Sequence, residues 1–334
     1  MPDRKPAVTE LASWCLVAAA LVLVLWVHLL PALLAGLLVY ELVHVIAPLL
    51  RLSRERARLA AVVVLASLIV GLVAAAIFGT VAFFRSDAGS LPVLLQKMAD
   101  IIDGARDVLP PWAVESLPGD IDELRQALAR WLRQYAPELR LVGAEAGRAF
   151  AHILIGMVIG AMVALRERES HREHPPLARA LIDRCGRLGD AFRRVVFAQL
   201  RISALNTIFT GLYLAALLPA FGVHLPLAKT LIAVTFVAGL VPIIGNLVSN
   251  TMIVVVSLAI SPYVALASLV YLVVIHKLEY FFNARIVGSQ IRARAWELLL
   301  AMLVMEAAFG LSGVVAAPIY YAYLKQELAD RGLV

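Results

Sequence analysis

Two carboxylates lie in stretches of the chain that are otherwise almost entirely apolar. Glu41 has Tyr40 beside it and His44 one helical turn further on, and Glu306 precedes the sequence Phe309-Gly310-Leu311-Ser312-Gly313. A carboxylate is inexpensive to bury when protonated and needs a partner or water when ionised. Each is therefore a candidate carrier of a proton or a cation. The alternatives are a side chain near a helix end that reaches water, for Glu41, and a packing or salt-bridge role, for Glu306.

Uncharged polar side chains form two further groups. Asn246, Ser249 and Asn250 follow one Pro/Gly-containing sequence, where they offer donors and acceptors without charge. A second group recurs at intervals of three and four along one predicted helix, and its members are Gln199, Ser203, Asn206 and Thr207. Such a row indicates either a polar pathway or hydrogen bonds that bridge neighbouring helices.

Proline and glycine interrupt two apolar segments, 225–260 and 296–324. The candidate backbone breaks are Pro242, Gly245, Gly310, Gly313 and Pro318. Freed backbone groups survive in lipid only when they are buried in protein or line a water-filled cavity. Paired interrupted segments are the best pointer in a sequence to a transporter's binding site.

Two interpretations of these segments remain open. We favour re-entrant hairpins, of which the first enters from outside and the second from inside. The alternative is a pair of kinked helices that cross the bilayer and only pack. In the favoured interpretation the substrate site lies between the two breaks, with Glu306, Asn246 and Asn250 nearby.

Motifs of enzymes and cofactor sites are missing from the sequence. The stretch His171-Arg172-Glu173-His174 does not have the spacing of a zinc-protease motif, and no glycine loop of the Walker A type occurs. The chain's 2 cysteines lie in an apolar run and in an Arg-rich loop, which argues against a disulfide framework. The sequence predicts no enzyme activity, no cofactor and no metal.

The composition places these residues on helices in a bilayer. Apolar residues make up 62% of the chain and charged residues only 16%, whereas soluble domains are near one half and one quarter. The predicted fold class is all-α: a polytopic helical membrane protein with two broken or re-entrant hairpin segments and a small helical extracytoplasmic insert. The predicted divisions are 1–84 (three spans), 85–140 (insert), 141–165 (fourth span), 166–201 (basic amphipathic helices), 202–325 (transport region) and 326–334 (tail).

Charge sets the predicted orientation. Arginines at 51, 54, 56 and 58, and again throughout 166–201, indicate cytoplasmic loops, whereas 85–140 has an acidic excess. Both termini are then cytoplasmic, in a bacterial inner membrane. The net charge of +6 reflects these loops, and no nucleic-acid partner is predicted. The first apolar run, 11–30, is too long for a cleaved signal peptide, and we expect it to form a hairpin with 32–50 that turns near Pro31.

Small residues recur in the fourth predicted span, as Gly143-x-x-x-Gly147 and Gly156-x-x-x-Gly160. This spacing lets helix backbones approach closely in lipid. It indicates either a face that meets another copy of the chain or ordinary helix packing.

The second half of the chain resembles the autoinducer-2 exporter family. The resemblance rests on Gln199, on Phe221-Gly222-Val223-His224-Leu225-Pro226, on Val241-Pro242-Ile243-Ile244-Gly245-Asn246, on Asn283 with Ile286-Val287-Gly288, and on the run from Phe309 to Pro318. The resemblance implies export of small solutes, with autoinducer-2 for some members and sodium (lithium)/proton antiport for others. It also implies homo-oligomers, with a pentamer suspected. After Gly288 the family often has a proline in a Leu-x-Pro context, and this chain instead continues Gln290-Ile-Arg-Ala-Arg-Ala-Trp296-Glu297.

The predicted function is a gradient-driven exporter of a small polar metabolite or signalling molecule. Its partners would be the lipid bilayer, the solute or ion that it carries, and further copies of the chain. Three alternatives remain: a sodium(lithium)/proton antiporter, an oligomeric passive pore, and a scaffold whose insert recruits envelope partners.

Overall fold

A computed structural model describes residues 8–50, 52–85, 93, 95–96, 118–166, 174–240, 244–258, 260–291 and 294–333. Every regular element in these ranges is helical. The helices, in chain order, are α1 (Val8–Trp26), α2 (Leu30–Ile46), α3 (Arg54–Arg85), α4 (Ile121–Gln134), α5 (Ala136–Arg166), α6 (Pro176–Leu212), α7 (Ala228–Gly239), α8 (Ile244–Leu258), α9 (Pro262–Ile291) and α10 (Ala295–Ala329). A 3₁₀ turn, Ala47–Leu50, extends α2, and a π-helical segment, Tyr213–Leu217, followed by the turn Leu218–Ala220, extends α6.

Within the described residues, six helical segments are long and apolar enough to cross a membrane, judged by length and composition alone. They are Val8–Trp26, Leu30–Leu50, Glu55–Ala75, Ala136–Arg166, Pro176–Ala220 and Trp296–Ala329. Apolar side chains cover much of their exposed surface, which suits lipid rather than water as the surrounding solvent. The prediction of an all-α polytopic membrane protein is confirmed.

Two predicted boundaries lie close to features of the structure without coinciding with them. The turn between α1 and α2 lies at Val27–Leu29, where His28 has φ 57°, and Pro31 occupies the first turn of α2. Proline is tolerated there because the first N–H groups of a helix have no intrahelical partner. The predicted division at residue 201 lies within the continuous helix α6, and the boundary between the two compact units falls close to it, between residues 198 and 199.

Two compact units divide the chain. The first unit combines residues 1–70, 144–198 and 286–334, and the second combines 71–143 and 199–285. In the first unit the arm 311–329 of α10 packs on α1, α2 and the first half of α6, through clusters that include Leu188, Phe192 and Ile319. In the second unit the end of α6 packs on α7, α8 and α9 through Tyr213, Leu231 and Ile253.

Helices α7 and α8 form a short hairpin in the second unit. They contain 12 and 15 residues, or about 18 and 22 Å, and neither spans the roughly 30 Å core of a bilayer. Gly245, at the start of α8, lies so close to the backbone of Ala238 that a side chain there would collide with it. We call this pair the first hairpin; its turn, including Pro242, lies outside the described residues.

Helix α10 is a second hairpin in the first unit. Gly310 has φ 60° and ψ −143°, a conformation essentially reserved for glycine. The chain reverses there, because Gly313 meets the backbone of Met305 and Lys325 Nζ lies 2.5 Å from Glu297 Oε2. In one straight helix those last two residues would be about 42 Å apart. The arms are residues 295–309 and 311–329.

Not every predicted break is a break. Gly310 is the non-helical position within α10, whereas Gly313 and Pro318 lie in its second arm with helical geometry. Gly245 likewise belongs to the helix α8. Gly245 and Gly313 lack a side chain because a neighbouring backbone lies close to each of them. Their presence does not require a break in the helix.

The glycine pair of α5 packs within the chain. A side chain on Gly156 or Gly160 would collide with the backbone of Ala32 or Gly36 in α2, so the two helices are in backbone contact. Gly143 and Gly147 have nothing within 4 Å of an added Cβ atom. Gly156 and Gly160 therefore allow α2 to pack on α5. Of the two pairs, only Gly143 and Gly147 leave space for another molecule.

Candidate functional site

A row of polar side chains follows one face of α6 in the second unit. Its members, which we call the polar seam, are Gln199, Ser203, Asn206, Thr210 and Tyr213, at intervals of four, three, four and three. Residues at these intervals share one face of a helix. Ser203, Asn206, Thr210 and Tyr213 are all buried, so the seam is an internal feature of the unit.

The first two members complete the end of the first hairpin. Gln199 Nε2 donates to the carbonyl oxygen of Gly239 over 2.7 Å, and Ser203 Oγ donates to that of Phe236 over 2.6 Å. Both carbonyls belong to the last turn of α7, where helical carbonyls lack an intrahelical donor. The broken helix end is therefore satisfied by side chains of α6.

The middle of the seam joins α6 to α8. Asn206 Nδ2 donates to Asn246 Oδ1 over 3.0 Å, and Ser249 Oγ donates to the carbonyl oxygen of Asn246 over 3.3 Å. Asn250 is half-buried one turn beyond Asn246. The structure thus brings together Gln199, Asn206 and Asn246, three of the residues that the sequence predicted for the pathway.

The last member of the seam lies in a second polar cluster. Tyr213 begins the π-helical segment, and its hydroxyl shares a 2.8 Å hydrogen bond with Ser268 Oγ, which shares another of 2.8 Å with Ser257 Oγ. Its ring stacks on Tyr271 with centroids 4.1 Å apart. Single π-helical turns inside α-helices occur often at functional sites. Sequence reasoning missed this cluster, although Thr210 and Tyr213 continue the spacing of the row.

The seam carries no ionisable acid or base apart from the tyrosine. Across residues 199–258 the only charged side chains are Arg201 and Lys229, and neither is a member of the seam. Hydroxyl and amide groups both donate and accept hydrogen bonds. The arrangement is chemically suited to an uncharged polar solute.

The two predicted carboxylates belong to the first unit. Glu41 is 7% exposed, and its Oε1 atom would lie 3.2 Å from a Cβ atom added to Gly189. It does not reach out to water, so that alternative is wrong. His44 Nδ1 lies 2.8 Å from the carbonyl oxygen of Tyr40, and the rings of these two residues lie 4.3 Å apart.

Glu306 is exposed on the first arm of α10, four residues before Gly310. Among the side chains that the structure describes, none forms a hydrogen bond or ion pair with its carboxylate. Asn246 and Asn250 belong to the other unit. A site shared by Glu306 with these two residues stays a prediction.

A buried charged cluster in the first unit was not predicted. Arg184 and Glu327 are each 4% exposed, and Arg184 Nη1 lies 2.8 Å from Glu327 Oε2. Arg187 Nη1 reaches the same oxygen over 2.8 Å, and Ser13 Oγ accepts from Arg184 Nε over 2.6 Å. The Trp14 ring lies between Arg184 and Arg331. These residues are too far apart in sequence for spacing to reveal them.

Comparison with known proteins adds the family. A model of the AI-2E family transporters matches residues 11–330. No curated protein and no solved structure gives a significant match. The matched region includes α2 to α10 completely, and thus the polar seam and both hairpins. The chain therefore belongs to the AI-2E family of transporters.

Proposed function

We propose that the protein is a gradient-driven exporter of a small polar metabolite or signalling molecule, with its solute pathway along the polar seam. Family membership supports a membrane transporter. The direction of transport, the solute and the driving force are parts of the proposal, as are a bacterial inner membrane, cytoplasmic termini and a homo-oligomer.

The observation that carries the proposal is the junction between the first hairpin and α6. Phe236 and Gly239 present carbonyl oxygens at the end of a short helix, and Ser203 and Gln199 bind them. Hydrogen bonds between side chains and backbone of separate elements can be exchanged for hydrogen bonds to a solute at a small net cost. In transporters, broken helices of this kind form the solute site.

The test is flux in proteoliposomes with the pH gradient switched on and off, across autoinducer-2, uncharged metabolites, sodium and lithium. In Gln199→Leu and Ser203→Ala one carbonyl each loses its donor, which costs about 1–3 kcal/mol when the group stays buried. We expect the transported solute to move at least about tenfold more slowly in each variant, since about 1.4 kcal/mol changes a rate or affinity tenfold.

Thr207→Val is the matched control. Thr207 lies on the same helix, and its hydroxyl donates to the carbonyl oxygen of Ser203 within that helix over 2.7 Å. Its flux should equal that of the wild type. Equal flux in all three variants would mean that the seam is not the pathway, and flux that ignores the pH gradient would indicate the passive pore instead.

A sodium(lithium)/proton antiporter is the second candidate function. It is favoured by two carboxylates, the buried Glu41 and the exposed Glu306, in segments that are otherwise apolar. Either could hold a proton or a monovalent cation in turn. Its signature is proton flux that requires sodium or lithium.

A further inference from the structure

Thr210 carries a buried hydroxyl that has no partner. The residue is 0% exposed, and its Oγ1 atom forms no hydrogen bond with any residue that the structure describes. A hydroxyl buried in this way costs about 1–3 kcal/mol. Native proteins contain few such groups, and each calls for an explanation.

The backbone next to Thr210 does not explain this. The hydroxyl of a threonine inside a helix can donate a hydrogen bond to the carbonyl oxygen four residues earlier. Thr207 does so with Ser203 over 2.7 Å, and Thr235 does so with Leu231 over 2.8 Å. Thr210 departs from a pattern that two other threonines of this unit follow, since its hydroxyl does not bond to the carbonyl oxygen of Asn206.

Its position is in the middle of the polar seam. Thr210 follows Asn206 by four residues and precedes Tyr213 by three, on the same face of α6. Asn206 bonds to Asn246 on one side, and Tyr213 bonds to Ser268 on the other. The orphan hydroxyl therefore lies between two satisfied polar groups along the helix, one turn before the π-helical segment.

We propose that Thr210 is a solute-binding residue whose hydroxyl pairs with a hydroxyl or carbonyl group of an uncharged, hydroxyl-bearing solute. This inference rests on the proposed function and adds the class of solute. A hydroxyl can both donate to and accept from such a molecule. A charged solute would require a countercharge when it is desolvated, and the seam supplies none.

Thr210→Val tests the proposal because it removes the hydroxyl and keeps the shape of the side chain. Measured without solute, the variant should unfold at a higher temperature than the wild type, since a buried orphan has been removed. Its flux of D-ribose or glycerol, whichever the wild-type protein carries, should fall at least tenfold. A gain of stability together with a loss of transport is not expected of a structural residue.

Thr235→Val is the control. Thr235 is also 0% exposed, but its hydroxyl is already bonded within α7. It should lose a little stability and keep wild-type flux. Unchanged flux in Thr210→Val, or a lower unfolding temperature, would overturn the role of Thr210.

The panel also separates this inference from the proposed function. If the wild-type protein carries lactate or sodium but neither glycerol nor D-ribose, the class of solute is wrong while transport stands. If Gln199→Leu and Ser203→Ala leave every flux unchanged, the seam is not the pathway and both proposals fail together.

Discussion

The hydrogen-bond partners of single polar residues in this chain could not be inferred from their residue types. From the sequence, Gln199 and Ser203 could line a polar pathway or form hydrogen bonds that bridge helices. The structure shows that both donate hydrogen bonds to backbone carbonyls of another helix, α7. Such bonds matter in lipid because no water replaces them when they are lost. These groups already have partners, with which a solute must compete, whereas the buried hydroxyl of Thr210 has no such bond to exchange within the described residues.

The carboxylates make a prediction at the same scale. In Glu306→Gln the side chain can no longer take up or release a proton, so the dependence of solute flux on the pH gradient should disappear while downhill flux persists. For an antiporter, the corresponding result is loss of sodium-dependent proton flux in Glu306→Gln or Glu41→Gln. The measurement is proteoliposome flux with an internal pH dye.

Glu138→Gln is the comparison for these variants. Glu138 is an exposed carboxylate in the first turn of α5, outside the predicted span. It should behave as the wild type. Coupling that survives in both Glu306→Gln and Glu41→Gln would show that neither carboxylate carries the proton.

The two hairpins are the elements that distinguish this fold from a simple bundle of spans. Each consists of two helical arms, and Gly245 in the first hairpin and Gly313 in the second let the arms touch. In the second hairpin the tip residues Met305 and Phe309 pack near Leu25 and Leu30, at the α1–α2 turn. The base, with Glu297 near Lys325, lies at the other end of the arms.

Gly310→Ala should weaken the second hairpin. At φ 60° and ψ −143° a side chain is strained, at a cost of about 1–3 kcal/mol. We expect a lower unfolding temperature in detergent. If transport depends on the exact position of the tip, flux will fall further than the fraction of folded protein does.

Gly147→Ala is its control, because nothing lies within 4 Å of the added Cβ atom. In the middle of α5 alanine is favoured over glycine by about 1 kcal/mol, so this variant should be at least as stable as the wild type. Equal stability of Gly310→Ala and Gly147→Ala would contradict the turn geometry.

At the scale of the whole molecule, the first unit is assembled from three separate stretches of chain. The cluster around Glu327 joins all three, with Ser13 and Trp14 from α1, Arg184 and Arg187 from α6, and Glu327 from α10. Glu10 also pairs with Arg331 over 3.0 Å. Helices α1 and α10 are thus joined near the two ends of the chain.

Glu327→Gln should destabilise the protein by about 3–5 kcal/mol, because it leaves the Arg184 charge buried without its countercharge. Thermal unfolding of the purified chain measures it. Asp330→Asn removes a nearby carboxylate that is 48% exposed and 3.6 Å from Arg187, and exposed pairs contribute about 0–1 kcal/mol. Similar losses in the two variants would mean that burial adds nothing to this cluster.

The sequence by itself determined that lipid surrounds the chain, that its fold is all-α, and that the segment 296–324 is broken near Gly310. Composition requires lipid around most of the surface, and glycine with proline in an apolar run marks where a helix cannot continue. These are local properties, so they can be read without contacts. The same local reasoning placed the first turn near Pro31, two residues beyond the end of the turn at Val27–Leu29. It also drew a division at residue 201 inside the continuous helix α6, close to the boundary between the two units.

Only the tertiary structure decided which polar groups meet. Arg184 and Glu327 are far apart in the sequence, and so are Tyr213 and Ser268, yet each pair is joined by a hydrogen bond. The structure also distinguishes two threonines of α6. The Thr207 hydroxyl donates to a carbonyl of its own helix, whereas the buried Thr210 hydroxyl has no hydrogen-bond partner among the described residues. A hydrogen bond depends on distance and direction between atoms, and spacing along the chain fixes these within a helix but not between helices.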